Sequence, residues 1–140
     1  GSIYWTGSTI KAFTQTGDMV HWTAPLLDVD VSNLGGTTTS YTLTTPTGVK
    51  CQAIVNITVG DGTATVRIYV HSPDNADDAA SATATPLASA WVVVNTANSS
   101  SGPHMIMTGT TSNIRAVSSD TNTTLKIATL GYVDRRGRDD

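Results

Sequence analysis

The stretch from Val49 to His71 constrains the fold more than any other. From Val49 to Val59 every odd position is apolar: Val49, Cys51, Ala53, Val55, Ile57 and Val59. Beyond Gly60-Asp61-Gly62, the apolar residues Ala64, Val66, Ile68 and Val70 alternate with Thr65, Arg67, Tyr69 and His71. Side chains on a strand point to opposite faces in turn, so each run has one dry face and one mostly wet one. Asp and Gly both tolerate positive φ, and an Asp-Gly pair between two such runs predicts a tight turn and a hairpin. The odd-numbered face of the first run is assigned to the core. The other side carries Ile54 among polar neighbours on one arm and Arg67, Tyr69 and His71 on the other. It reads as a wet subunit contact or a ligand surface.

Similar short runs recur along the chain. Ile3–Trp5, Thr9–Thr14, Met19–Thr23, Leu26–Val31, Tyr41–Leu43, Leu87–Val94 and Pro103–Thr108 each read as strands. A final hairpin is predicted between Asn113–Val117 and Thr124–Leu130. Breaks fall at Gln15–Asp18, Ser32–Ser40, Pro46–Gly48 and Asn95–Gly102. Pro25 lacks a ladder donor and is expected to end its strand. Asp28 and Asp30 are expected to share a face. The longest irregular stretch, Ser72–Pro86, is rich in alanine and supports at most one helical turn between Asp77 and Ala82. A loop of that length in a small domain is usually functional or interfacial. About eight to ten short antiparallel strands, spaced by about ten residues, predict an all-β fold, a β-sandwich or jelly roll. Gly1-Ser2 read as the remnant of tag cleavage, with residues 3–140 a single domain cut from a longer fibrous protein.

Charge removes one class of function. Charged residues are 14% of the chain and the formal net charge is −3, so the basic face that nucleic acid requires is missing. The cluster Asp134, Arg135, Arg136, Arg138, Asp139 and Asp140 is nearly neutral and reads as a solvated or subunit-contacting tail. Thr and Ser make up roughly a quarter of the chain and Glu is absent. Cys51, the single cysteine, falls on the dry face and is expected to act as a small core hydrophobe. No stretch approaches the length of a membrane-spanning helix.

The ending Thr124–Arg138, the entry Pro46-Thr47-Gly48-Val49-Lys50 and the exit Ser72-Pro73-Asp74 resemble virion proteins of tailed bacteriophages, over roughly residues 38–138. The distal knob of a tail needle and the head domain of a tail fibre fit best. The resemblance implies a homotrimer at the tip of a fibrous stalk. Such a protein is made in the host cytoplasm, resides in the virion tail, and contacts a host cell-surface glycan or outer-membrane component. It implies no cofactor and carries no residue-level binding motif. The alternatives are a carbohydrate-binding module of a larger enzyme and a capsid decoration protein.

The side chains that carry chemistry are few. Asp74, Asp77 and Asp78 offer oxygen ligands but lack the Gly and bidentate Glu of an EF-hand, so they read as a solvated loop. His21, His71 and His104 fall on separate strands without a His-x-His pair. No Gly-x-Ser-x-Gly occurs, and glycoside hydrolysis needs paired carboxylates across a cleft. No catalytic or metal site is therefore assigned. Trp22 shares a face with Val20 and is expected to be buried, whereas Trp5 and Tyr4 are expected at a packed interface. Trp91 and Val93 lie in Ala90–Val94, apolar on both faces, which suits a trimer contact. With Arg67, Tyr69, His71, Asp74, Asp77 and Asp78 they make up the interface and receptor candidates. The Ser72–Pro86 and Asn95–Gly102 loops are expected at the outward tip.

Overall fold

The fold is that of a computed structural model, which describes residues 5, 7–61, 65–86, 89–93 (backbone only) and 98–134. Gly1, Ser2 and residues 135–140 lie outside these. The strands are β1 (Phe13–Thr16), β2 (Met19–Leu34), β3 (Thr39–Thr42), β4 (Gln52–Gly60), β5 (Val66–His71), β6 (Ser89–Val93), β7 (Asn98–Met107), β8 (Asn113–Ser118) and β9 (Thr123–Val133). They form a five-stranded sheet, β1-β2-β9-β4-β7, and a four-stranded sheet, β3-β8-β5-β6, with every described pairing antiparallel. Ala53, Val55, Ile57 and Val59 of β4, with Leu125 and Ile127 of β9, meet Val66, Ile68 and Val70 of β5 and Ile114 and Ala116 of β8 in one buried cluster. The chain is a β-sandwich. Burying each such Val, Leu or Ile contributes about 1.5–3 kcal/mol before entropy is counted.

Neither predicted hairpin forms. β4 and β5 belong to opposite sheets, and so do β8 and β9. Alternation fixes which face of a strand is dry and says nothing about its neighbour. Two dry faces can lie side by side in one ribbon or face each other across a core, and here they face each other. The partners of β4 are β9 and β7, both far away in sequence.

Pro25 does not end its strand. β2 runs through it, but pairing with β9 is interrupted between His21 and Leu26, so the residue without a donor sits where no ladder bond is demanded. β1 starts later than expected and takes in Gln15 and Thr16. Its turn to β2 is Gly17-Asp18, with Gly17 at φ 60° in the first turn position, where a side chain would be strained. β7 begins at Asn98, so most of the predicted polar loop 95–102 is edge strand. Hydroxyl and amide side chains suit a solvent-facing edge, and the irregularity opposite Asn56 together with Pro103 blunts that edge against further strand pairing. Asp134, assigned to a solvated tail, is buried, and its N–H donates to Asp18 O at 2.9 Å.

The expected core assignments for Cys51, Trp22 and Val20 hold. All three pack with Tyr132 in a second cluster, with the Trp22 and Tyr132 rings 5.6 Å apart. Trp5, by contrast, is exposed.

Candidate functional site

The outer face of the four-stranded sheet is covered. Arg67, Tyr69 and His71 do point away from the core, as alternation requires, but Tyr69 and His71 are buried. The segment from Ser72 to Pro86 forms no helix and stands at no tip. It lies across this face as a strap, with Ala80 and Ala84 packed on Tyr69 and Val117. The small side chains that suggested a helical turn let the strap sit close to the sheet. Tyr69 Oη donates to Ser81 O at 3.2 Å, and Ser81 Oγ accepts from the N–H groups of Thr83 and Ala84. At the near end Asp74 pairs with Lys50 at 2.6 Å and Asp77 with Arg115 at 2.9 Å. These partners are a third to a half exposed, so each pair contributes about 0–1 kcal/mol. The wet ligand surface expected at Arg67, Tyr69 and His71 is thus replaced by a packed one, with Arg67 alone partly open.

His71 sits fully buried beneath the strap. A ring nitrogen, Nδ1, lies 2.8 Å from Ser72 O. Nε2 faces Asp77 Oδ1 at 3.8 Å, too far for a hydrogen bond, and has no bonded partner among the described residues. Asp78 is exposed. Asp74 and Asp77 are each engaged by a cation, and no group of three or more His, Cys or Asp side chains able to hold a metal occurs among the described residues.

Ala80→Asp tests the strap. A carboxylate buried against Tyr69 and Val117 is expected to lift the segment, giving fast proteolytic cleavage between residues 72 and 86 with little change in the sandwich's own melting. Cleavage at the parent rate would mean that the strap is not held by this contact.

Trp91 and Val93 lie on β6, an edge strand whose backbone pairs Trp91 with Ile68 and Val93 with Val66. Their side chains lie outside the described residues. The expectation that Asp28 and Asp30 share a face fails. A register shift between Leu27 and Val29 takes Asp28 out of the alternation, and its carboxylate accepts from Thr44 N–H (2.6 Å), Thr44 Oγ1 (2.7 Å) and Thr129 Oγ1 (2.5 Å). Asp30 points outward to its cross-strand neighbour Lys126, at 3.5 Å.

The outer face of the five-stranded sheet is uncovered. Register places Met19, Val133, Gln52 and Met107 in one row across β2, β9, β4 and β7, and His21, Gly131, Ile54 and Met105 in the next. All three methionines of the chain therefore stand on this face, 36%, 51% and 38% exposed for Met19, Met105 and Met107. Ile54, expected on a wet surface, is nearly buried between them. Neither row contains a charged side chain. Further along, the β4–β7 ribbon turns polar and stays neutral. Thr58 and Ser100 share a hydroxyl hydrogen bond of 2.8 Å, with Asn56 and Asn98 on either side. Ser101 Oγ lies 2.9 Å from His104 Nε2. Asn56, Thr58, Ser100, Ser101 and Gly102 line a shallow cavity of about 350 Å³. Sequence reading singled out the even-numbered side of β4, with Ile54, as a subunit contact or ligand surface but joined it to β5; the β7 half of the face, signalled by the methionines flanking Ile106, it missed.

Burial holds the imidazole of His104 below its ordinary pKa of 6.5. The unfolded chain then binds the proton more readily. The resulting stability is complete above pH 6.5 and is lost as the pH falls toward the lowered folded value. Histidine-resolved NMR is expected to show His104 titrating below 6.5, and His104→Gln should flatten the acid side of the stability curve. A midpoint at or above 6.5 would contradict the burial.

In comparisons with known proteins, the chain matches no family model, no curated protein and no solved structure.

Proposed function

We propose that this chain is a non-enzymatic attachment module, the distal knob of a phage tail needle or tail fibre, working as a homotrimer against the surface of a Gram-negative host. The reading rests on the resemblance of Thr124–Arg138 and the segments around Val49 and Ser72 to tail proteins. The observation that best supports assembly is the uncovered face bearing Met19, Met105, Met107 and Val133 without a charge. An uncharged, methionine-rich surface of that kind, broken only by Gln52 and His21, suits a protein contact, where methionine is enriched.

Light scattering on the purified chain is expected to give three copies per particle. Met105→Asp should convert it to a folded monomer, because this side chain faces solvent in the single chain. A monomeric parent at micromolar concentration overturns the trimer. Labelled protein is expected to decorate intact cells of some strains in a Gram-negative panel, and failure on every strain overturns the attachment role.

A further inference from the structure

We propose that the neutral strip along the outward face of β4 and β7, from Asn56 to Asn98, is a binding site for a neutral saccharide chain. The inference rests on the attachment reading above and gives it a surface and a ligand chemistry.

The hydrogen-bonding groups select the ligand. The Asn56 and Asn98 amides each offer a donor and an acceptor, and the Thr58 and Ser100 hydroxyls can act as either. That mixture matches sugar hydroxyls, which also donate and accept. A phosphate or carboxylate ligand calls for Arg or Lys; β4 and β7 present neither along the strip, and the neighbouring cation, Lys126 across from Thr58 on β9, is paired with Asp30 at 3.5 Å. Neither asparagine side chain has a hydrogen-bond partner among the described residues.

The backbone prepares the site. Asn56 lies against Gly102 and Asn98 against Gly60, so closely that a methyl group at either glycine would strike the asparagine side chain. Gly102 also has φ 146°, which side chains rarely adopt. Each amide is thus seated on bare backbone, and the cavity lined by Asn56, Ile57, Thr58, Ser100, Ser101 and Gly102 opens beside the first of them. Groups fixed before binding lose little entropy when a ligand arrives. The span from Asn56 to Gly60 is about 13 Å, which suits several linked rings better than one. Ala128, the cross-strand neighbour of Asn56, offers C–H surface beside the strip. The methionine rows end at Ile54 and Met105, next to Asn56, and the strip runs on from there toward Gly60 and Asn98, so its far end around Thr58, Ser100 and Asn98 lies away from an assembly closed through the methionines.

The test uses the full chain, isotopically labelled, titrated with delipidated core and O-chain oligosaccharides from Gram-negative lipopolysaccharide and with heparin as an anionic control. At least one neutral oligosaccharide is expected to shift the Asn56 and Asn98 side-chain amides saturably, and heparin is not. Thr58→Val should weaken binding about fivefold, the loss of one hydrogen bond. Asn56→Ala/Asn98→Ala should abolish it, with the melting temperature unchanged because both side chains are exposed. No shift at the strip with any oligosaccharide, or shifts confined to the strap, overturns the proposal. Cell decoration separates the two readings. If the double variant decorates cells as well as the parent, the strip is wrong and the attachment role stands. If oligosaccharide binds the strip while no strain is decorated, the strip stands and the attachment role falls.

Discussion

Gly131→Ala is expected to lower the melting temperature by about 10 °C, corresponding to about 3 kcal/mol in a domain of this size. Gly131 sits in the middle of the five-stranded sheet, paired with His21 on one side and Ile54 on the other. A methyl group there would run into the carbonyl oxygen of Val20 and lie 2.9 Å from His21 Cα. These are backbone atoms and cannot swing aside. Relief requires β2 to move away from β9 beside the Val20–Tyr132 pair, which belongs to the second core cluster. Gly36→Ala is the control, because its nearest neighbour is Ser118 O at 3.8 Å, an ordinary contact. That variant should stay within about 0.5 kcal/mol of the parent. Equal melting of the two variants in calorimetry would show that β2 and β9 do not approach so closely.

The second large effect is expected at Asp28. Its carboxylate joins β2 to Thr129 on β9 and to Thr44, just beyond β3 of the other sheet. Asp28→Ala removes the acceptor from all three donors and strands the partly buried Thr44 N–H. Charge-assisted hydrogen bonds contribute more than neutral ones, so a loss of about 3 kcal/mol is expected in denaturant titration. Asp28→Asn keeps the shape and one acceptor oxygen and should lose about half as much. A double-mutant cycle with Thr129→Val should show coupling of about 1–2 kcal/mol. Additive losses would mean that the contact carries no energy of its own.

Asp28 also marks a limit of reading by pattern. Strict alternation put it beside Asp30 on a wet face. One irregular step between Leu27 and Val29 turned it toward Thr44 and Thr129 instead. Bulges leave no reliable mark in a sequence, because the extra residue is defined by what the partner strand does. Pro25 fails for the same reason. A residue without a donor ends a strand only if its position requires a ladder bond, and the pairing with β9 lapses there.

The candidate surface was legible only in part. The polarity of Asn56 and Thr58 was plain, and their outward direction followed from the dry face of Val55 and Ile57. That Asn98 and Ser100 stand beside them was not, since 95–102 read as a loop. The strap was singled out for its length, yet its course across Tyr69 and Val117 depends on Ala80 finding a sheet face to pack against.

Local chemistry by itself determined the all-β class, the dry face of Cys51–Val59 and the burial of Cys51 and Trp22. Period-two alternation, β-branched side chains and the solvent cost of apolar surface act on each segment separately. Pairing is different in kind. Which strand lies beside β4, whether β5 joins it or faces it, and which sheet face the strap covers are set by packing among segments far apart in the chain. Tertiary structure turned the opening stretch from a hairpin into the two halves of a core, and left the methionines and the Asn56–Asn98 strip facing outward.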